Sequence, residues 1–508
     1  MRLVTPKEMA KIDLKVQRRY GVPSILLMEN AARGVVDTLE EYFELTGLKV
    51  LVVCGIGNNG GDGFAAARHL KIRGSDARTF LVGSRNRLKG DTLLNGRITG
   101  IDYSKNLKKV IDDFHPDVII DAIFGTGFKG RPKSIYKSAI EVINGSDSFI
   151  VAVDIPSGVN GYTGVVEDSA VFADVTVAMC LPKTGLLLYP GRYCCGDLWI
   201  TDIGITDEMI GPGKTNLLDD EEISSIIPAR PAEGHKGVFG KVLVLAGSRG
   251  YSGAACLTAN GALRTGAGLV ILGVPEGLID TVEEKLTEVV KFSLPETDTI
   301  SFSKAGVKDT ILRSRDSDVL VIGPGISTNP ETKEFLYQII SKVKVPIVID
   351  ADGINNLTQY PDILKKSKSE IVLTPHPGEL SRLIGIPPEE INLNRIELAR
   401  KYAKKFGVVL VIKGVPSVIS NKGGEVWVNP TGNSGLASGG SGDVLSGMIG
   451  GLIAQGVDPF DASKAGVYLH GLAADLAVQD QNEYSLIASD ILEFIGPAID
   501  EVTKEYPE

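Results

Sequence analysis

Two aspartates stand at the ends of glycine loops, and their surroundings suit anion chemistry. Asp443 closes the loop in SGGSGDVLSG (Ser438 to Gly447), and Asp62 closes the loop in GIGNNGGDGF (Gly55 to Phe64). The apolar return VLSGMIGGLI after Asp443 predicts a helix that starts at Ser441, Gly442 and Asp443. Backbone N–H groups and the helix dipole at such a start stabilise a transferring phosphoryl group. A carboxylate at the same point can take a proton from an attacking hydroxyl. The plainer alternative for Asp443 is a helix cap.

In the first loop, Gly55, Gly57 and Gly60 fit G-x-G-x-x-G between a strand and a helix. The dinucleotide fingerprint is incomplete, because the next strand, ARTFLVG, ends in Gly83 and Ser84 rather than in an acid, and Asp76 lies before it. NNGGD adds carboxamides and an acid that a pyrophosphate cradle does not need. The loop reads as a phosphate or cation site, with a structural turn as the alternative. Three further strand ends carry polar groups: Asp121 in VIIDAIFGTG, Asp154 in IVAVDIPSG with Ser157 beyond it, and Lys183 in MCLPKTG. The carboxyl ends of a parallel sheet share one rim, so these groups can converge. Asp154 and Lys183 would then form an acid/base pair that keeps both ionised. Taken singly, each is equally a strand-end cap.

The elements that must position these groups are short Val/Ile/Leu runs alternating with helical segments. KVLVVC (49–54), DVIIDAI, FIVAVDI and DVTVAMC lie in the first part. KVLVLAG, GLVILGV, DVLVIGP, PIVIDA, EIVLTP and VVLVIKG lie in the second. Such runs predict strands buried on both faces of parallel sheets, so the fold class is α/β twice over. The polar, proline-bearing stretch between residues 205 and 240 predicts the boundary, with DDEEISSII as a short helix opening the second domain. The expected domains are 1–215 and 222–508. Thr5, Pro6 and Glu8 predict a capped helix at the start of the chain rather than a signal peptide.

With 508 residues, a net charge of -10 and no long apolar run, the sequence argues against nucleic acid as a main partner and against a membrane span. A small anion held by backbone N–H groups remains open. Five cysteines without C-x-x-C spacing predict reduced thiols in a cytoplasmic protein, and five histidines without H-E-x-x-H argue against a zinc enzyme. No G-x-x-x-x-G-K-[ST] is present, which excludes a Walker-type NTPase.

GGSGD resembles the anion hole and base of the ribokinase-like fold, and VVLVIKGVPSVI, LTPHPGEL and VIGPGIS resemble its flanking loops. His376 can be a turn residue or a ligand contact; Lys413 can be a solvated strand end or a phosphate contact. MENAARG, GNNGGDG, DAIFGTG, VAVDIPSGV and PKTGL in the first half, with GHKGVFGKVLVLAGS, GALRTGAGL, TPHPGE and SGGSGDVLSG in the second, resemble the bifunctional NAD(P)H-hydrate repair enzymes along nearly the whole chain. The resemblance implies a Rossmann-like three-layer N-terminal domain that epimerises the R and S hydrates of NADH and NADPH at C6. It implies a ribokinase-like C-terminal domain that dehydrates the S form, driven by ADP or ATP.

The resemblance also implies residue roles. Asp154, Lys183 and Asp443 would be catalytic. Asn58, Asn59, Gly60, Gly61 and Asp62 would hold the hydrate in the first domain, with Gly125, Thr126, Gly127, Phe128, Lys129, Gly130, Arg131, Tyr136 and Asp154. Gly325, His376 and Asp443 would hold it in the second. The nucleotide would lie on Lys413, Gly414, Val415, Pro416 and Ser417, on Asn433, Ser434 and Gly435, and on Gly439, Gly440, Ser441 and Gly442. The family implies K⁺ at the first site, for which Asn59, Asp121 and Ser157 supply hard oxygens, and Mg²⁺ at the second. A homo-oligomer is expected. The rival reading is a small-alcohol kinase fused to a nucleotide-binding module without catalysis; the fused first half, with both Asp154 and Lys183, argues against it.

Overall fold

The computed structural model describes residues 1–101 and 106–504; the last four residues assigned to the second domain lie outside the described residues. The chain divides into two compact units, Arg2–Gly213 and Lys214–Glu508, with Met1 belonging to the latter.

In the first unit, β1 (Lys49–Cys54), β2 (Asp76–Leu81), β3 (Val118–Ala122), β4 (Phe149–Val153), β5 (Val175–Met179) and β6 (Asp197–Thr201) form one sheet in the order β2-β1-β3-β4-β5-β6. Every pairing is parallel. The unbroken Val/Ile runs put apolar side chains on both faces. Val50, Val52, Val118, Ile120 and Val177 pack in one cluster with Met9, Ala32 and Phe64 of the helices. Leu51, Val53, Ile119 and Ala152 pack in another with Phe114 and Ile140. The result is a three-layer Rossmann-like unit. Chain direction reverses between β1's two neighbours, so the crevice over the ends of β1 and β3 is where such a sheet takes its ligand.

Thr5 and Glu8 form the capping box of the helix Pro6–Tyr20, and Gly21 at φ 71° ends it. The helix Asn58–Ile72 starts directly after β1. A Cβ at Gly60 would lie 2.0 Å from the Gly55 carbonyl oxygen, so only glycine lets this helix start so close to the strand end.

In the second unit the strands are β7 (Thr215–Leu217), β8 (Lys241–Leu245), β9 (Leu269–Pro275), β10 (Val290–Leu294), β11 (Val319–Ile322), β12 (Ile347–Ile349), β13 (Ile371–Leu373), β14 (Val409–Ile412), β15 (Val418–Ser420) and β16 (Val426–Val428). Their order is β10-β9-β8-β11-β12-β13-β14-β15-β16-β7. From β10 to β14 all pairs are parallel, and β8 sits at the reversal point between β9 and β11. β15 is antiparallel to both neighbours, so one edge departs from the all-parallel sheet the sequence predicts. The helices Ser252–Arg264, Ser441–Ala454 and Ala488–Lys504 pack on one apolar core with β8, β9 and β11. This is the ribokinase-like α/β unit.

The first unit ends two residues short of 215, because Thr215 opens β7 and pairs with Val426. Residues 216–221, left between the expected domains, belong to the second unit: Asp219 caps the helix Asp220–Ile226, whose Ile223 is buried in the core. Among the described residues, no helix is long and apolar enough to cross a membrane, and all five cysteines are unpaired.

Candidate functional sites

In the first unit, a cavity of about 660 Å³ opens over the carboxyl ends of β1, β3, β4 and β5. Its wall takes in Asn58, Asn59 and Asp62 from the glycine loop and its helix, Gly125 to Lys129, Arg131, Tyr136, Asp154 and Lys183. Gly60, Gly61 and Gly130 are not part of the wall; Gly61 packs against Met28 and Gly60 against the backbone of Gly55. Lys183 is 1% exposed and its Nζ donates to Asp154 Oδ1 at 2.5 Å and to the Met179 carbonyl at 2.8 Å. Asp154 sits at φ 68°, a left-handed conformation that costs a non-glycine residue about 1–3 kcal/mol. Its own N–H donates to the Val177 carbonyl, which holds it there. The strain turns the carboxylate off the end of β4 onto the buried ammonium.

Two more acids face this pair. Burial raises Asp62 well above the ordinary carboxylate range, with the Asp154 charge adding and Lys183 opposing. Burial also raises Asp13, on the helix Pro6–Tyr20, to about 6, against the pull of Lys183. Asp13 lines the cavity too. Sequence reasoning missed it because a lone acid on an amphipathic helix carries no motif. An aromatic wall completes the site: Phe124 stacks on Phe128 and tilts against Tyr136, each with ring centroids 4.7 Å apart. A flat, partly polar ring can lie on this wall while its substituents meet Asp154.

Asp121 and Ser157 are wholly buried, and neither belongs to the cavity wall. Asp121 accepts from the Ser157 hydroxyl at 2.7 Å, the Ser157 N–H at 2.8 Å and the Ile123 N–H at 3.2 Å. The Ser157 hydroxyl in turn accepts from the Phe124 N–H, and Asn59 Nδ2 donates to the Phe124 carbonyl. Asn59 and Ser157 thus brace the Phe124 residue from both its carbonyl and its N–H, and Ser157 ties it to Asp121. Burial lifts Asp121 to about 6, opposed by hydrogen bonds from Ser157 and Ile123.

In the second unit the glycine loop delivers Ser441, Gly442 and Asp443 to the first turn of the helix Ser441–Ala454. Gly440 reaches φ 97° just before it, where a Cβ would also strike Leu257. The loop is braced from behind. The Ser441 hydroxyl donates to the Leu436 and Ser438 carbonyls, and buried His470 contacts the Ser441 carbonyl through Nε2 at 2.9 Å. Burial lowers His470 to about 4, so it is neutral and donates there. Facing the helix start, Lys413 Nζ donates to Asp350 Oδ1 at 2.6 Å. A Cβ on Gly442 would lie 3.0 Å from Lys413 Nζ and 3.7 Å from Asp350 Oδ2, which puts the buried ion pair directly against the anion hole.

Asp350 Oδ2 is buried and has no hydrogen-bond partner. Burial raises Asp443 to about 7, with Asp350 adding and Lys413 opposing. His376 caps the helix Pro377–Ile384: Nδ1 accepts from the Gly378 N–H, and Glu379 accepts from the His376 N–H. Burial and nearby Lys413 lower its pKa. Gly325 follows β11 at φ 61° beside Tyr251. The other expected nucleotide contacts are held in shape. Asn433 donates to Asp475 at 2.9 Å and accepts from Gly435 N–H. Buried Arg395 donates to the Pro416 carbonyl, and Ser417 donates to the Gly414 carbonyl. Asp350 and Glu379 were missed as site residues. Asp350 ends PIVIDA as Asp121 and Asp154 end their strands, and that signal was available.

A doubly wound unit with a buried acid–lysine pair beyond the ends of two of its strands, joined to an α/β unit with an acid in a helix-start anion hole, defines a two-site enzyme of small-molecule nucleotide chemistry. Comparison with known proteins agrees. A family model described as YjeF-related protein N-terminus matches residues 24–185, and one described as NAD(P)H-hydrate dehydratase matches residues 242–496. The chain is similar to the bifunctional NAD(P)H-hydrate repair enzyme of Moorella thermoacetica, 40% identical over 97% of this chain and 96% of that one. It is similar to that of Thermofilum pendens, 33% identical over 100% and 98%. The ADP/ATP-dependent NAD(P)H-hydrate dehydratase of Bacillus subtilis, crystallised with ATP and Mg²⁺, is 32% identical, with a TM-score of 0.49 over 56% of this chain and 98% of that one. The chain belongs to the family of bifunctional NAD(P)H-hydrate repair enzymes.

Proposed function

We propose that the first unit interconverts the R and S C6-hydrates of NADH and NADPH, and that the second removes water from the S hydrate with ADP or ATP as co-substrate. The observation that carries this reading is Asp443: an acid at a glycine-lined helix start, opposed by the Lys413–Asp350 pair.

In the second unit, the C6 hydroxyl is a poor leaving group. Asp443 takes its proton as the oxygen attacks the terminal phosphorus, and the bond from that phosphorus to the bridging oxygen breaks, releasing AMP from ADP or ADP from ATP. The free N–H groups of the helix start and Lys413 stabilise the charge on the transferring group. The C6–O bond then breaks, phosphate leaves on the push of the ring-nitrogen lone pair, and loss of a proton from C5 restores the double bond. With a base near 7, this chemistry suits neutral pH. Mg²⁺ fits at Asp350, whose Oδ2 is buried without a partner. Asp350 would hold the ion together with the phosphates, and the ion would neutralise phosphate charge when bound.

In the first unit, Asp154 manages the proton of the C6 hydroxyl, Lys183 holds the Asp154 side chain in place, and the aromatic wall orients the ring. Asn59, Asp121 and Ser157 would hold K⁺, which would compensate the buried Asp121 charge. Five unpaired cysteines suit a cytoplasmic setting.

The test is direct. The full chain is given a mixture of both hydrates with ADP or ATP, and return of dihydropyridine absorbance is followed together with free phosphate. Full recovery of both epimers with stoichiometric phosphate is expected. A stable phosphorylated product would overturn the reading in favour of a kinase.

A further inference from the structure

A second cavity, of about 780 Å³, lies at the end of β2 beside the first. The two share Arg87 and Tyr136. Tyr136 lines both and reaches the end of β2, since a Cβ on Gly83 would lie 3.4 Å from its hydroxyl. The floor is apolar, with Phe80, Leu81, Val82, Leu107, Ala139 and Val142, and the rim carries Ser84, Arg85, Arg87 and Lys108. Among the described residues, its lining holds no Asp or Glu, in a chain of net charge -10.

Position gives this cavity a meaning. In doubly wound sheets that bind dinucleotides, the end of the second strand reads the adenosine ribose. An acid there pairs with a free 2′-hydroxyl, and an arginine there accommodates a 2′-phosphate. Here β2 runs into Gly83, Ser84 and Arg85, and its acid, Asp76, stands at the opposite end of the strand. The catalytic pair Asp154–Lys183 lies at the ends of β4 and β5, so the dihydropyridine half of a dinucleotide occupies that side. The remaining half passes the shared Arg87 toward β2.

Building on the epimerase reading, we propose that the second cavity seats the adenosine half of the hydrate, and that Ser84, Arg85 and Arg87 recognise a phosphate on its 2′-oxygen. The first unit then prefers the 2′-phosphorylated hydrate, that of NADPH, over that of NADH. The apolar floor takes the base. Arg87, common to both cavities, bridges the two halves at the pyrophosphate.

The experiment uses the full chain without added nucleotide, so that dehydration is silent, and follows the approach of each hydrate to its epimer equilibrium by chromatography. The wild type is expected to show a higher kcat/KM for the phosphorylated hydrate. Ser84→Asp, which supplies the missing acid beside a like-charged phosphate, and Arg85→Ala should each lower that kcat/KM by roughly tenfold to a hundredfold, as expected for loss of a charge-assisted hydrogen bond. The value for the unphosphorylated hydrate should hardly change. Adenosine 2′,5′-bisphosphate should inhibit wild-type epimerisation more strongly than adenosine 5′-monophosphate, a comparison that needs no variant. Equal kcat/KM for the two hydrates, or equal inhibition by the two adenosine phosphates, would overturn the proposal while leaving the epimerase assignment intact. Failure of the wild type to epimerise either hydrate would overturn the assignment on which it rests.

Discussion

Replacing Asp443 by Asn removes the charge and keeps the shape, and no cap is lost, since Gly440 is the N-cap of this helix and no side chain caps it. In the wild type, burial and the Asp350 charge raise Asp443 from its ordinary 3.8 to about 7. The folded state therefore holds the proton more tightly than the unfolded chain. Stability contributed by this group is greatest below about pH 4, falls as pH rises toward 7, and is fully lost above that. The whole rise corresponds to about 4 kcal/mol as an upper bound. Solvent reaching the half-buried carboxylate brings the expected figure to about 1–3 kcal/mol. Asn carries no charge at any of these pH values. The variant should thus be more stable than wild type at about pH 8, with the second unit melting roughly 2–4 °C higher per kcal/mol gained, and the advantage should shrink toward about pH 5. Dehydration should fall by about 10²–10⁴-fold, while epimerisation and nucleotide binding persist. Wild-type dehydration should itself rise with pH through about 7, since only the ionised carboxylate accepts the hydroxyl proton. Calorimetry at two pH values and single-turnover dehydration measure both arms. A variant that is destabilised at high pH, or that keeps most of its dehydration rate, would refute the reasoning.

Other outcomes follow from the same geometry. Asp154→Asn should abolish epimerisation and spare dehydration, read by epimer ratio and absorbance recovery; a wild-type epimerisation rate would make Asp154 structural. Lys183→Met removes the ammonium from beside Asp154 and Asp62, and loss of one partner of so buried a pair should destabilise the first unit by about 3–5 kcal/mol, measured by urea unfolding. Asp121→Asn should weaken any dependence of epimerisation on K⁺ over Na⁺, checked by titrating each chloride salt. A fragment of residues 214–508 should fold and dehydrate the S hydrate alone, whereas one starting at 225 lacks β7 and Ile223 and should melt lower; equal melting of the two would contradict the role given to this segment.

The strands read most clearly in the sequence are those buried on both faces, where every position is apolar: KVLVVC and DVIIDAI are legible because nothing in them faces water. β6, β10, β15, β16 and β7 were not legible, for two reasons. DLWIT and VKFSL are partly exposed edge strands without a continuous apolar run, and the other three are only three residues long. The site divides in a similar way. Asp154, Lys183 and Asp443 stand in strings whose spacing announces a strand end or a helix start. Asp350 carried the same signal within PIVIDA. Asp13 and His470 did not, because each acts from the middle of a helix and reaches the site through packing between elements distant in the chain.

β7 has a consequence for how the protein is made. Thr215 to Leu217 lie at the start of the second unit, yet their pairing partner β16 begins at Val426. On a ribosome adding roughly 5–20 residues per second, the strand emerges about 10–40 s before its partner. During that interval its backbone donors and acceptors have no sheet to join, while all six strands of the first unit are already synthesised. The nascent chain therefore carries a finished N-terminal unit tethered to an open edge. The ten-stranded sheet closes only when the hairpin of β15 and β16 arrives. Slowing elongation between residues 217 and 426 lengthens the exposure of that edge, whereas slowing it after 428 does not.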